Sequence, residues 1–198
     1  AATRAGGGSW TEVQMNEATT FPGYAAGTWA VDPVHSEIGF TVRHLMVTKV
    51  RGRFEKFEGE IVTGDDILDT RATLTVELNS INTGNEDRDN DLRSSNYFEA
   101  DKYPTMTYRV TDLRTDGDRY VADGELTVKD ITKPVPLQVE FHGISPDPWG
   151  GTRAGLSATG EINRKDFGVT VDMPMEGGGL VVGDKIQINL EIEAVLQQ

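Results

Sequence analysis

The sequence predicts an all-β fold, an eight-stranded antiparallel β-barrel with a short helical insertion around residues 84–95. Three observations predict it. From Thr28 onward, apolar and polar residues alternate with period two in one run after another. Clusters of Gly, Asp, Asn and Pro separate those runs at regular spacing. The composition, 37% hydrophobic with 22 glycines in 198 residues, suits many short strands and turns better than packed helices.

The elements follow in order. Residues 1–27 show little periodicity and much Gly, Ala and Thr, and read as a flexible N-terminal arm; the letters ahead of Met15 read as added sequence before a native start. The stretch "DPVHSEIGFTVRHLMVTKVRGRFEKFEG" then reads as the first hairpin, with Ile38, Phe40 and Val42 on one face and Gly39, Thr41 and Arg43 on the other. Leu74, Val76 and Leu78 continue the pattern, as do Met106, Tyr108 and Val110. Leu126 and Val128, then Val135, Leu137, Val139 and Phe141, extend it, and Ile186, Ile188, Leu190 and Ile192 close it. Turns are marked by "TGDD", "RTDGDR", "SPDPWGG" and "EGGG". Runs that meet through hairpins in chain order close most simply as an up-and-down barrel, which removes the exposed strand edges. One segment departs from period two. In "INTGNEDRDNDLRSSNYFEADKYP", Thr83 with Glu86 three residues on predicts a capping box, and acidic residues crowd the first turn. Asp89 and Arg93 stand at i and i+4, the spacing of a helical ion pair. Pro104 marks the start of the next strand.

Charge and composition set limits on function. With 19 basic against 32 acidic residues, a net charge of −13, the surface repels phosphate backbones and anionic headgroups. Nucleic-acid binding and polybasic membrane docking are therefore not expected. The absence of cysteine excludes disulfides, thiolate metal sites and a cysteine nucleophile. No stretch approaches the roughly 18 apolar residues of a membrane-spanning helix, so no integral membrane segment is expected. No charged-then-apolar leader pattern is read in these letters, so a cytoplasmic location is expected, with an exported form left open.

Candidate chemistry is sparse. His35 and Ser36 are neighbours on an extended chain and point to opposite faces, so they do not pair as base and nucleophile. No G-x-S-x-G elbow is present, and no catalytic residue is expected. His35, His44 and His142 would make a three-histidine metal site only if a bend intervened, because nine residues of straight strand span roughly 30 Å; no metal site is expected. Arg88, Asp89 and Arg93 read either as a solvated helix face with an ion pair or as guanidinium groups at a cavity rim. The inward faces mix large residues (Phe40, Phe54, Phe57, Tyr108, Phe141) with small ones (Gly124, Ala158, Gly160), a pattern compatible with a tunnel.

Five blocks then carry a resemblance over residues 28–196: "DPVHSEIGFTVRHL" with "VRGRFEKFEGEI", "SINTGNEDRDNDLRSSNYFEADKYPTMTY", "GELTVKDITKPVPLQVEF", "INRKDFGV" and "VGDKIQINLEIEAV". In this order they resemble the YceI-like family, the lipocalin-like polyisoprenoid-binding proteins. The resemblance implies a lipocalin-like lumen for binding, storage or transport of a long-chain isoprenoid, such as a polyprenyl quinone or polyprenyl phosphate, or of a fatty amphiphile. It implies a carrier rather than an enzyme and no cofactor beyond that bound lipid-like molecule; dimers occur in the resembling family, and a homodimer is left open. By family pattern His35, His44, Arg88, Asp89 and Arg93 are motif positions, with Arg88 and His35 expected nearest a ligand head. Strand parity assigns the tail contacts to Phe40, Val42, Leu45, Phe54, Phe57, Leu92, Phe98, Met106, Tyr108, Leu126, Val128, Phe141 and Phe167. Two other readings compete: an enzyme acting on a small apolar substrate with His35 or His44 as general base, and an interaction module whose barrel is filled.

Overall fold

The structure of the protein, a computed structural model, describes residues 21–176 and 181–198. Twelve strand segments and one helix follow in order: β1 (Gly27–Val31), β2 (Glu37–His44), β3 (Thr48–Phe54), β4 (Phe57–Thr63), β5 (Arg71–Glu77), β6 (Ile81–Asn82), α1 (Glu86–Arg93), β7 (Thr105–Asp116), β8 (Arg119–Val128), β9 (Ile131–Pro134), β10 (Leu137–Pro146), β11 (Thr152–Asn163) and β12 (Val182–Leu196). They amount to eight staves, because β1–β2, β3–β4, β5–β6 and β9–β10 are each one interrupted strand. Every stave pairs antiparallel with its chain neighbours, and β1 closes the ring on β12 in the register Trp29↔Leu196 and Val31↔Ala194. The expected eight-stranded antiparallel barrel with one short helix is therefore the observed fold.

The interruptions have local causes. Pro33 has no N–H to give a ladder, so the first stave leaves the sheet over 32–36. Asp32 Oδ1 accepts the Val34 N–H at 2.9 Å, and Ser36 Oγ accepts the Glu193 N–H at 3.0 Å, which ties the excursion back to β12. His35 thus stands in a bend outside the strand run that its sequence suggested.

The helix lies where the pattern placed it, but its start differs. Asn85, not Thr83, is the N-cap, its side chain accepting the Arg88 N–H. Thr83 instead gives both its N–H and its hydroxyl to Asp89 Oδ1, at 2.9 and 2.6 Å. Asp89 is buried by this arrangement, and the expected Asp89–Arg93 ion pair is not formed; Arg93 donates to the carbonyls of Asn79 and Ile81 and to the Asn90 side chain.

Inward faces form one core, centred on Ile38, Phe54, Val76, Leu78, Ile81, Leu126, Leu137 and Phe167. Outward faces are polar, as in Gln187, Asn189 and Glu191 on β12, all exposed. That polarity is the reverse of a lipid-facing barrel, and no helix among the described residues is long and apolar enough to cross a membrane. The barrel has two distinct ends. α1, the β2–β3 turn and a turn of 3-10 helix at Arg164–Phe167 lie at the helix end. At the terminal end lie residues 21–26 and the C-terminus. There Phe21 packs on the Phe141 ring at 4.4 Å and Tyr24 Oη donates to the Gly64 carbonyl, so the last part of the N-terminal arm is seated on the barrel. Residues 1–20 of that arm and most of "EGGG" fall outside the described residues.

Candidate ligand-binding lumen

Alternation puts one apolar side chain in two on the inside of each stave, and the barrel interior is correspondingly apolar. Its free space divides into two chambers of about 170 Å³ each. Four side chains, Leu74, Tyr108, Leu137 and Leu190, border both chambers and form a waist between them.

Glycines set how the large residues lie. A Cβ at Gly124 would overlap the Tyr108 ring and hydroxyl, one at Gly160 would overlap Leu137, and one at Gly52 would overlap the Phe40 ring. The mixed bulk noted in the sequence is therefore not empty space: each of these glycines is the floor on which a neighbouring large side chain rests. Tyr108 lies across the adjacent strand β8 above Gly124, and its hydroxyl donates to the Val135 carbonyl, in the link between β9 and β10, at 2.6 Å. Burial pushes the Tyr108 hydroxyl well above the usual phenol range, so it stays a donor across the working pH range.

Of the predicted contacts, Phe40, Val42, Phe54, Leu92, Phe98, Met106, Leu126, Val128 and Phe167 border the helix-end chamber, Tyr108 the waist, and Phe141 the terminal-end chamber. Phe57 packs on the core without bordering either chamber, and Leu45 is exposed at the β2–β3 turn. His35, His44, Arg88 and Arg93 also border neither. Strand parity extends to further lining residues. Ile38, Val76, Ile186 and Ile188 in the helix-end chamber, and Val110, Val139 and Ile192 in the other, sit on the alternating faces already recognised. Trp29 and Ile61, in short interrupted segments, had a weaker signal.

Arg164 had no signal of this kind beyond its place in "INRKDFGV". Buried at the helix end, it donates to the carbonyls of Gly183, Val169 and Val171 and pairs with Asp172 and Asp184 at 3.1 Å each. Its donors are consumed in holding the 164–172 segment against the start of β12. Arg164 also borders the helix-end chamber, but its guanidinium is fully engaged by these partners.

The polar constellations are on the outside. Arg88 donates through Nε to Thr83 Oγ1 at 2.7 Å and through Nη2 to the Thr83 carbonyl, so the motif around it clamps the loop before α1. His35 Nδ1 lies 2.8 Å from Asp32 Oδ2, beside Glu193. These three groups have ligand atoms within 4.8 Å of one another. Arg153 already supplies their positive charge, pairing with Asp32 and Glu193 at 2.7 Å each and with Asp147 at 3.0 Å. The His35 bond, the Arg153 pair and the Val34 N–H together hold Asp32 well below the usual carboxylate range. His142 Nε2 lies 2.6 Å from Ser157 Oγ, whose proton goes to Glu191 Oε2. A serine that donates to a carboxylate accepts from the histidine, the opposite of an activated nucleophile.

A model of the YceI-like domain matches residues 29–194. The chain belongs to the YceI-like family. A UPF0312 protein of Photorhabdus laumondii is 37% identical over 140 residues, covering 70% of this chain and 73% of that protein. A UPF0312 protein of Staphylococcus aureus is also 37% identical, covering 82% and 94%. Among solved structures, the YceI protein of Campylobacter jejuni superimposes with a TM-score of 0.65 at 25% identity, over 96% of this chain and all of that one. A polyisoprenoid-binding domain from Saccharophagus degradans, implicated in plant cell wall breakdown, shares the fold with a TM-score of 0.63 at 16% identity, over 87% and 100%. In this YceI-like chain the five sequence blocks thus correspond to parts of one barrel: the bent first hairpin, the clamp around α1, the β8–β10 wall, the Arg164 turn and the closing strand.

Proposed function

We propose that this YceI-like protein binds the chain of a long-chain isoprenoid, such as a polyprenyl quinone or polyprenyl phosphate, or of a similar amphiphile, and acts as a carrier or store. One observation carries the reading: the two chambers lie end to end along the barrel, are lined almost wholly by apolar side chains, and share Leu74, Tyr108, Leu137 and Leu190 as common wall. Such a lumen favours a molecule that is long, thin and apolar, because each Å² of tail removed from water contributes about 25 cal/mol with no polar contact needed. The polar head belongs at an end of the barrel, since Arg164, the one buried cation near the lumen among the described residues, has its donors committed elsewhere. Family membership and the polyisoprenoid-binding neighbour of the same fold support a binding role over catalysis. His35 and His44 border neither chamber; His35 instead faces an open outer recess with His142, Arg153 and Glu193, where Arg153 already pairs with Glu193 and the apolar lining of the lumen is absent.

The test is extraction. Protein purified from a host that makes polyprenyl lipids is denatured in organic solvent and the extract analysed by mass spectrometry. A stoichiometric isoprenoid or fatty amphiphile is expected. Adding a polyprenyl quinone at a hundred times its Kd is expected to stabilise the fold by about 2.7 kcal/mol, roughly 5–10 °C in Tm for a chain of this size. An empty extract together with an unmoved Tm rejects the reading and favours a filled barrel.

A further inference from the structure

Net charge conceals a local excess. From Thr41 to Phe54 the chain carries four basic residues, Arg43, Lys49, Arg51 and Arg53, and no acidic one, although acids outnumber bases 32 to 19 overall. This stretch is the distal part of the β2–β3 hairpin. Arg43 and Lys49 stand directly opposite each other in the ladder, a like-charge pairing that disfavours the hairpin. Among the described residues Arg53 pairs with Glu55, while Arg43, Lys49 and Arg51 have no carboxylate partner.

The tip of the same hairpin is apolar and exposed: Leu45 at 39%, Met46 at 50% and Val47 at 76%. Leu45 and Met46 both have left-handed backbone, with φ of 52° and 61°, where Gly or Asn is the ordinary choice. The turn therefore keeps exposed apolar side chains at positions whose geometry favours small or polar ones. Met173, also exposed, is tied to the tip through Val181: the Leu45 N–H donates to the Val181 carbonyl, and the Val181 N–H to the Met173 carbonyl. The tip stands next to the helix-end chamber, since Val42 and Val182, on either side of it, both border that chamber.

We propose that the β2–β3 hairpin docks the protein on the surface of an anionic phospholipid bilayer, with Leu45, Met46 and Val47 in the interface and Arg43, Lys49 and Arg51 over the headgroups. Apolar residues at the point and unpaired cations behind them match the layering of a bilayer surface, apolar below and negatively charged above. α1 at the same end carries exposed Glu86, Asp87 and Asp91, which an anionic surface repels, so contact is confined to the hairpin rather than spread over the whole end. At the other end the exposed apolar residues are scattered: Val34 and Trp149 lie beside carboxylates at Asp32 and Asp147, and Val62 stands singly opposite Arg71, without a cluster of cations behind an apolar point. Docking in this pose brings the helix-end chamber to the bilayer, where an amphiphilic cargo resides. The docking itself does not depend on the lumen being a lipid site.

Vesicle flotation tests it with the full chain. Binding is expected to vesicles of equal parts phosphatidylglycerol and phosphatidylcholine at low salt. Little is expected to pure phosphatidylcholine, and binding should be lost near 1 M salt, where screening acts within about 3 Å. Lys49→Gln and Arg51→Gln are each expected to lower the partition coefficient about fivefold, and the pair Met46→Ser with Val47→Ser to lower it at least as much. These side chains are exposed, so Tm should hold, and Met46→Trp should show a blue shift on vesicle addition. No binding to anionic vesicles overturns the proposal, as does binding that all four substitutions leave unchanged. Self-association lost in the Met46→Ser, Val47→Ser variant without any vesicle binding assigns the surface to a second copy instead. A barrel that floats with vesicles but yields no extractable lipid would retain this inference and lose the lumen reading.

Discussion

Where a glycine faces inward in this barrel, a specific large side chain lies across it, and the pairing is geometric rather than a matter of propensity. Phe40 over Gly52 is the tightest case. Gly52→Ala forces the ring off its position in the chamber wall and is expected to cost about 1–3 kcal/mol by urea unfolding. Gly155→Ala is the control: its Cβ would meet nothing nearer than 3.8 Å, and its effect should stay within about 0.5 kcal/mol. Tyr108 adds a second residue-level test, because its hydroxyl is both buried and hydrogen-bonded. Its folded-state pKa is raised by burial, so the stability it contributes is fully present below the ordinary phenol pKa of about 10 and declines as pH rises above that value. Tyr108→Phe leaves the Val135 carbonyl without its donor, a loss of about 1–3 kcal/mol at neutral pH. It should also flatten the alkaline decline relative to wild type. A wild-type and variant pair whose stabilities fall in parallel above pH 10 would show that Tyr108 is not the titrating group.

At the scale of elements, stave identity was legible and stave continuity was not. Period two identified the strand faces correctly because each stave buries one face. The breaks at 32–36 and 55–56 depend on which distant backbone groups replace the lost ladder, Glu193 for the first and Ser80 for the second, and no local pattern reports those partners. The α1 start illustrates the same limit: a local capping-box reading chose Thr83, while a contact six residues on, to Asp89, took that side chain. Arg153 ties three elements together, drawing Asp32 from the bend after β1, Asp147 from the β10–β11 turn and Glu193 from β12 onto one guanidinium. Asp147 is held below the usual carboxylate range by the Gly151 N–H first and then by Arg153, and Asp32 likewise by His35 and Arg153. Groups with lowered folded-state pKa contribute stability above their unfolded value and lose it as pH falls below about 4. Wild-type protein should therefore lose Tm on acidification from pH 5 to pH 3. Arg153→Met leaves three carboxylates facing one another, so its Tm should be lower at pH 7, and the deficit relative to wild type should shrink toward pH 3. Calorimetric scans across that range check both signs; a deficit independent of pH assigns Arg153 a packing role only.

For the whole molecule, inward and outward faces were readable from one sequence, but the division of the lumen was not. The waist arises where Leu74, Tyr108, Leu137 and Leu190 from four staves meet, and their coincidence at one level depends on register and on the bulge between Val110 and Asp112. This division makes chain length the variable that the lumen measures. If these four side chains close the passage, a short apolar chain fits in one chamber, whereas a longer one must part them to reach the second. Affinity should therefore rise with chain length in two stages. Trp29, 2% exposed and bordering only the terminal-end chamber, supplies the readout. If chains enter from the helix end, short prenyl alcohols should leave Trp29 emission unchanged, and chains long enough to pass the waist should shift it. Leu137→Ala removes one of the four side chains and the one that lies over Gly160. It should lower the stability of the empty barrel by about 2–5 kcal/mol while moving the onset of the Trp29 response to shorter chains. A response that begins at the same chain length in wild type and Leu137→Ala would mean that the waist is not the barrier, and that the two chambers fill independently from opposite ends.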